Sequence, residues 1–438
     1  MSKYILRVLE FFVICLTAHI SFLRSLDISW IWILLLVSLF IIINIVPSYD
    51  NIHISTKRLR ICADGCELLI LFIATLIPVI AFFIMLMSVD CIKYIIDGIC
   101  LVIVEAILFW NGMLRIFILS SQLRMKWRVL GLLCGWIPIV NVFVLMKMIS
   151  VVLAEVEVEN AKIMLEQERY LSQICQTQYP ILLVHGVFFR DSEYFNYWGR
   201  IPAQLEKNGA KVFYGNHQSA ASVAKSAAEI SERIREIIRE EQVEKVNIIA
   251  HSKGGLDCRY AISMLGMDQY VASLTTINTP HRGCLFADVL LSKIPESVKG
   301  LVAEGYNATL RKLGDDNPDF ISAVTDLTAS SCQRMNDIVK DKESVYYQSV
   351  GSVLKGASSG QFPLNMTYYL VKYFDGPNDG LVRVDSFRWG ENFVLLQPKG
   401  KRGISHGDMI DLNRENIEDF DVREFYVDLV KDLKEKGY

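Results

Sequence analysis

The chain has 438 residues, a formal net charge of −3 and 52% apolar residues. That length leaves room for two domains, and a charge so near zero, without a basic excess, argues against a nucleic-acid partner. The apolar excess lies before about residue 150, whereas the rest mixes charge, glycine and apolar residues as a soluble globular domain does.

A helix needs about 20 apolar residues to cross a bilayer core. Five segments qualify in chain order: 5–23, 28–46, 68–88, 94–120 and 129–148. The second and third are free of charge, and Pro78 predicts a kink in the third. The first contains Arg7, Glu10 and His19, the fourth contains Asp97, Glu105 and Arg115, and the fifth holds Pro138 and Lys147. Such groups are expected to face a bundle interior or to snorkel to the headgroups. The basic clusters Lys57/Arg58/Arg60 and Arg124/Lys126/Arg128 lie on the same side if all five segments cross. Positive clusters stay in the cytoplasm, so the chain is expected to be a multi-pass cell-membrane protein with everything after residue 150 on the outer face. A cleaved signal peptide is the rival reading of segment one, and it fares poorly because no small-residue cleavage site follows Leu23. Cys62 and Cys66 form a close pair, but no second pair or histidine cluster accompanies them, so no metal site is expected there. The expected division is a membrane domain at 1–150, a helical connector at 151–175 and a soluble domain at 176–438.

Beyond the connector, 179–187 reads as an apolar strand ending in His185-Gly186, followed by an aromatic-rich loop at 188–198. A helix is predicted at 201–207, a short strand at 211–214, and an amphipathic helix at 222–241 with Ala227, Ile230, Ile234 and Ile238 on one face. The run Val246-Asn247-Ile248-Ile249-Ala250 is a buried strand, and it enters His251-Ser252-Lys253-Gly254-Gly255 before a helix at 256–264. Small residues two positions either side of Ser252 are what a sharp strand-to-helix elbow requires, because those positions press together there. A further buried strand begins at Val271 and exits through Thr279-Pro280-His281-Arg282-Gly283. Residues 285–335 are largely helical in pattern, and strands are predicted at 345–350 and 381–384. Strands alternating with helices imply a mostly parallel sheet with helices on both faces.

A serine hydroxyl needs a base to become a nucleophile, and the base needs an orienting acid. In this class of fold the chain order is serine, acid, histidine. His406 is the one histidine after the strands around Ser252, and Asp379, in the turn Gly376-Pro377-Asn378-Asp379-Gly380, is the expected acid, with Asp375 in reserve. His281 comes too early in that order and is read as structural, as are His185 and His251; His217 has no supporting context. Backbone N–H groups of Val187 and Lys253 are placed to form an oxyanion hole.

Taken together, Tyr179-Pro180-Ile181 with His185-Gly186, the Ser252 elbow, Thr279 to Gly283, Asn378-Asp379-Gly380-Leu381-Val382 and His406-x-Asp408 resemble the bacterial true lipases of the α/β-hydrolase superfamily. The resemblance runs from Tyr179 to about Leu412 and implies Ser252, Asp379 and His406 as the triad, with a mobile lid over an acyl pocket at 285–335. It also implies a calcium ion bracing the histidine loop, with Asp408 as one ligand; no second aspartate stands in the expected stretch between Gly351 and Phe374. No other cofactor is expected. Ala250 stands where glycine is more frequent, and the apolar front is foreign to secreted members. The expected function is a membrane-anchored serine hydrolase cleaving carboxylic esters of lipids through an acyl-enzyme, acting on a lipid substrate at the bilayer. A phospholipase, an acyltransferase, and a non-catalytic membrane protein retaining the fold are the alternatives; the intact Ser252, Asp379 and His406 count against the last.

Overall fold

The computed structural model describes residues 2–86, 91–187, 196–312, 315–359, 364–397, 400 and 402–438. Contacts divide the chain into two units, Met1–Glu168 and Arg169–Tyr438.

The first unit is helical. Its elements are α1 (Ser2–Thr17), α2 (Ile20–Ser25), α3 (Trp30–Ile45), α4 (Lys57–Met85), α5 (Cys91–Leu119), α6 (Met125–Leu133) and α7 (Pro138–Arg169). Among the described residues, four helical stretches are long and apolar enough to cross a membrane: Trp30–His53, Lys57–Met85, Tyr94–Leu119 and Ile139–Arg169. Their outward positions are apolar, with Ile31, Ile77, Ile118 and Ile139 all strongly exposed. A soluble protein buries such side chains, so these four helices are compatible with membrane association.

Two of the five expected segments are built differently. Segment 5–23 is broken after Thr17, where the Asp97 carboxylate accepts from the N–H groups of Ser21 (2.7 Å) and Phe22 (3.1 Å) and caps a new helix, α2. Segment 129–148 is divided by a 3₁₀ turn at Cys134–Trp136, and Pro138, which has no N–H to give, opens α7. That helix runs unbroken to Arg169, so most of the expected connector continues the last apolar helix. Inside the unit α4 and α5 meet through Gly65 and Gly112, where an added Cβ would come within 2.8 Å of Arg115 Cβ and 2.7 Å of Leu69 Cγ.

The second unit is a six-stranded parallel sheet in the order β2-β1-β3-β4-β5-β6. The chain order is β1 (Ile181–Val184), α8 (Ile201–Lys207), β2 (Val212–Tyr214), α9 (Val223–Glu241), β3 (Val246–His251), α10 (Lys253–Met264) and β4 (Val271–Ile277). There follow α11 (Leu285–Lys293), α12 (Glu296–Lys312), α13 (Phe320–Thr325), α14 (Ala329–Ile338), β5 (Tyr346–Ser352), α15 (Leu364–Asp375), β6 (Asn392–Leu396) and α16 (Val422–Glu435). Strand residues alternate between two cores. Ile181, Leu183, Ile249, Ile277 and Val350 pack on α8 and α16, whereas Leu182, Val184, Ile248, Ala250 and Leu274 pack on α9 and α10. Burial on both faces is why these strands read as continuous apolar runs. The unit has the α/β-hydrolase fold, and the carboxyl ends of β1, β3 and β4 open onto one rim, where loop residues collect.

The strand expected at 381–384 is absent: Asn378 bridges to Arg383, a 3₁₀ turn follows at Val384–Ser386, and the sixth strand is Asn392–Leu396. The reason is local. Leu381 and Val382 give their N–H groups to the Asp379 carboxylate at 2.9 and 2.8 Å, so they have none for a sheet neighbour.

Candidate active site

The elbow begins in sterics. Ser252 stands between the last residue of β3 and the first of α10 with φ 56° and ψ −130°, outside the regions a side chain prefers. Holding it there costs about 1–3 kcal/mol, offset by its surroundings. Its N–H donates to the Ile277 carbonyl (2.9 Å), and its own carbonyl accepts from the Thr279 hydroxyl (2.8 Å), so the turn is tied to the exit of β4. A Cβ on Gly254 would lie 2.4 Å from the His185 carbonyl oxygen, and one on Gly186 would lie 2.7 Å from Ser252 Cβ. Glycine is therefore required on both sides of the contact, and the turn carrying Val187 is pressed against the serine. Ala250, fully buried, still fits.

His406 and Asp379 meet as the chain order demands. Nδ1 of His406 lies 2.7 Å from Asp379 Oδ2, and the His406 N–H donates to the Asp379 carbonyl at 2.9 Å. The fully buried carboxylate also accepts from Asn278 Nδ2 (2.6 Å) and from the N–H groups of Leu381 and Val382, so neither oxygen can turn. With Nδ1–H fixed toward the acid, Nε2 of His406 keeps a lone pair for a proton. Asp375, the reserve acid, is engaged elsewhere: its two oxygens accept from the N–H groups of Leu285 and Phe286 at the start of α11.

A second set of bonds brings the histidine loop to the elbow. The Gly186 N–H donates to Tyr197 Oη (3.0 Å), Tyr197 Oη lies 2.7 Å from His251 Nδ1, and His251 Nε2 lies 3.2 Å from the His406 carbonyl oxygen. Since a carbonyl can only accept, Nε2 of His251 carries the proton and Nδ1 accepts from the tyrosine. That requires a neutral ring. Burial, reinforced by the neighbouring His406, pushes the His251 pKa well below 6.5. The rings of His251 and His406 stand 4.5 Å apart between centroids.

Lys253, one of the two expected oxyanion donors, has its side chain occupied by buried partners. Its Nζ is buried behind the elbow, on Ser226 Oγ (3.0 Å) and Asp257 Oδ1 (2.6 Å). Burial raises the Asp257 carboxyl to about 7 despite the lysine beside it. Val187, the other expected oxyanion donor, follows Gly186 and packs its side chain on Ala220, Leu310 and Ala323. The other histidines of this unit have structural partners. His281 is stacked on Trp389 and bonded to Thr276 Oγ1 (3.0 Å), and His185 is stacked on His217 and bonded to its carbonyl oxygen (3.0 Å).

Calcium does not fit the residues present. Asp408, the expected ligand, accepts from the Ser405 N–H (2.8 Å) on one oxygen and from Arg402 on the other (3.1 Å). A guanidinium group already takes one Asp408 oxygen, and among the described residues no group of three or more His, Cys, Asp or Glu could hold a metal. Sequence reasoning also missed Asn278, Tyr197, Arg200 and Arg402. Asn278 could have been found, since an asparagine between a strand and Thr-Pro tolerates the positive φ it adopts, 48°. Tyr197 could not, because several aromatic residues share the run 188–198 and none carries a motif; 188–195 of that expected loop fall outside the described residues.

Comparison with known proteins places these features in context. A family model described as palmitoyl protein thioesterase matches residues 180–316. Over 172 residues the chain is 31% identical to a triacylglycerol lipase of Pseudarthrobacter phenanthrenivorans, which is 36% of this chain and 53% of that protein. Triacylglycerol lipase 2 of Saccharomyces cerevisiae is 29% identical over 273 residues, covering 57% of this chain and 78% of its own. Among solved structures, the mature Bacillus licheniformis lipase BlEst2 aligns with a TM-score of 0.43 and 22% identity over 57% of this chain and 91% of that one. The chain spans about half the length of the Pseudarthrobacter relative. The curated relatives are lipases, in line with the resemblance carried by the five motifs.

Proposed function

We propose that the protein is a membrane-anchored serine hydrolase that cleaves carboxylic esters of lipids. The observation that carries this reading is the His406–Asp379 pair, whose loop is bonded through the His406 carbonyl to His251, the residue before a serine on a strained elbow. Ser252 Oγ attacks the ester carbonyl as His406 Nε2 takes its proton, and the oxyanion forms against the N–H groups of Val187 and Lys253. The protonated imidazole then gives its proton to the departing alkoxide, leaving an acyl-Ser252 that water hydrolyses by the same route. Asp379 keeps the imidazole oriented throughout. The helices α11 to α14 serve as the lid region, and α12 presents exposed Val298, Leu301, Val302 and Tyr306 to a lipid phase.

The apolar helices anchor this chemistry at its substrate. One basic cluster forms the first turn of α4 and the other lies at the start of α6, before α7, and α7 leads directly to the hydrolase unit. With the clusters in the cytoplasm, a crossing by α7 puts Arg169–Tyr438 on the outer face whether or not the first segment inserts. The division into a membrane domain and a soluble domain is part of the same reading.

Hydrolysis of emulsified triacylglycerols and of p-nitrophenyl esters by the purified full chain, compared with Ser252→Ala, tests the proposal. Release of fatty acid by the wild type alone supports it, and equal release by both proteins rejects it. The thioesterase family match over 180–316 favours one second reading, thioester cleavage, and a palmitoyl thioester assayed in parallel separates the two.

A further inference from the structure

The loop that carries His406 is pinned by two arginines, and we propose that Arg402, backed by Arg200, is a permanent cationic brace that positions the base where a metal ion would otherwise be needed. The inference rests on His406 as the base. One nitrogen of Arg402, Nη2, joins two carboxylates of the loop, Asp408 Oδ1 at 3.1 Å and Glu415 Oε2 at 2.8 Å. Asp408 in turn grips the residue before the histidine, accepting from the Ser405 N–H at 2.8 Å while its own N–H reaches Ser405 Oγ at 3.3 Å. A displacement of Asp408 is thus passed to His406 within two residues.

Arg200 closes the same loop from the start of α8. Its guanidinium grips Asp411 in bidentate fashion (2.7 and 2.8 Å), and it also reaches Asn416 Oδ1 (2.9 Å) and the Glu415 carbonyl (3.3 Å). Gly199 lets the two segments touch, since a Cβ there would lie 2.5 Å from the Asp411 carbonyl oxygen. The loop is therefore held at 408, 411, 415 and 416 by planar groups whose donors are fixed in a fork and whose charge does not depend on metal supply. A divalent cation placed on Asp408 would stand against the Arg402 guanidinium.

The test uses the full chain in detergent. Turnover of a soluble ester and the apparent Tm are measured for wild type, Arg402→Ala and Arg402→Lys, each with EDTA, with added calcium and with guanidinium ion. The brace requires that wild-type turnover and Tm ignore both EDTA and calcium. It requires that Arg402→Ala lose about 10- to 100-fold in kcat with KM nearly unchanged, the scale of a small misplacement of a catalytic group. Guanidinium ion restores part of that loss, and sodium chloride at equal ionic strength does not. Arg402→Lys, which keeps a charge, falls between and carries the comparison if the alanine variant does not fold. Wild-type turnover lost in EDTA and regained with calcium overturns the proposal, as does an unchanged kcat in Arg402→Ala. A wild type that turns over no ester rejects the hydrolase reading instead. The Tm arms then judge the brace alone: a calcium-dependent wild-type Tm overturns it, and a calcium-indifferent Tm that drops on Arg402→Ala upholds it.

Discussion

At the scale of single residues, two aspartates four positions apart do different work, and their hydrogen bonds separate them. Asp379 takes donors from His406, Asn278, Leu381 and Val382, whereas Asp375 caps α11. Asp379→Asn should therefore lower kcat by about 10⁴-fold, because an amide can donate to Nδ1 and stabilise the wrong tautomer. Asp375→Asn should leave ester turnover within a few-fold of wild type. Steady-state kinetics on a soluble ester checks both, and the reverse ranking would reassign the acid. Asn278 supports the same carboxylate and also donates to Ser352 Oγ at 2.7 Å. Asn278→Ala removes both bonds inside a buried site, so about 1–3 kcal/mol of stability should be lost, read as a lower urea midpoint.

At the scale of elements, the β3–α10 elbow is a contact between backbones as much as a turn. Gly254→Val would drive a branched side chain into the His185 carbonyl, where even a Cβ comes within 2.4 Å. Disruption of the Gly186–Val187 turn should follow, with serine labelling lost along with about 1–3 kcal/mol of stability. On α12, Leu301 is 73% exposed. Leu301→Asp should weaken turnover of emulsified triacylglycerol while sparing a soluble ester, and equal effects on both would remove α12 from the lipid contact. The elbow, α8, α9 and the alternation of strands with helices in a parallel sheet were legible because burial on two faces and small residues around a serine leave plain patterns in sequence. The missing strand at 381–384 was not legible. Leu381 and Val382 look like strand residues, and only the three-dimensional demand of Asp379 for their N–H groups keeps them out of the sheet. The broken first segment escaped for a similar reason, since its new helix is capped by Asp97, which lies 76 residues from Ser21. Calcium was implied by resemblance at Asp408, and the arginine that bonds that aspartate from six residues earlier carries no motif.

At the scale of the whole molecule, buried histidines set the acid limit of the hydrolase unit. Burial holds the pKa of both His251 and His281 well below 6.5. A group with a depressed folded pKa binds a proton first in the unfolded chain, so its contribution is complete above about 6.5 and is lost as pH falls below it, by about 1.4 kcal/mol per pH unit for each ring. Asp257, raised to about 7 by burial, acts in the opposite sense, because its contribution is lost as pH rises toward that value. The histidines outnumber it, so the urea midpoint should decline below pH 6.5, and His281→Gln should flatten that decline. The outer-face placement is checked by adding protease to intact cells, where cleavage after Arg169 is expected and full protection would reverse the topology. The account as a whole stands on Ser252 being the one activated hydroxyl. Its most direct measurement is the site of attachment of a fluorophosphonate on the full-length protein, read by mass spectrometry. The adduct is expected on Ser252, with labelling abolished in Ser252→Ala and slowed in Asp379→Asn; an adduct on another residue, or undiminished labelling of Ser252→Ala, would contradict it.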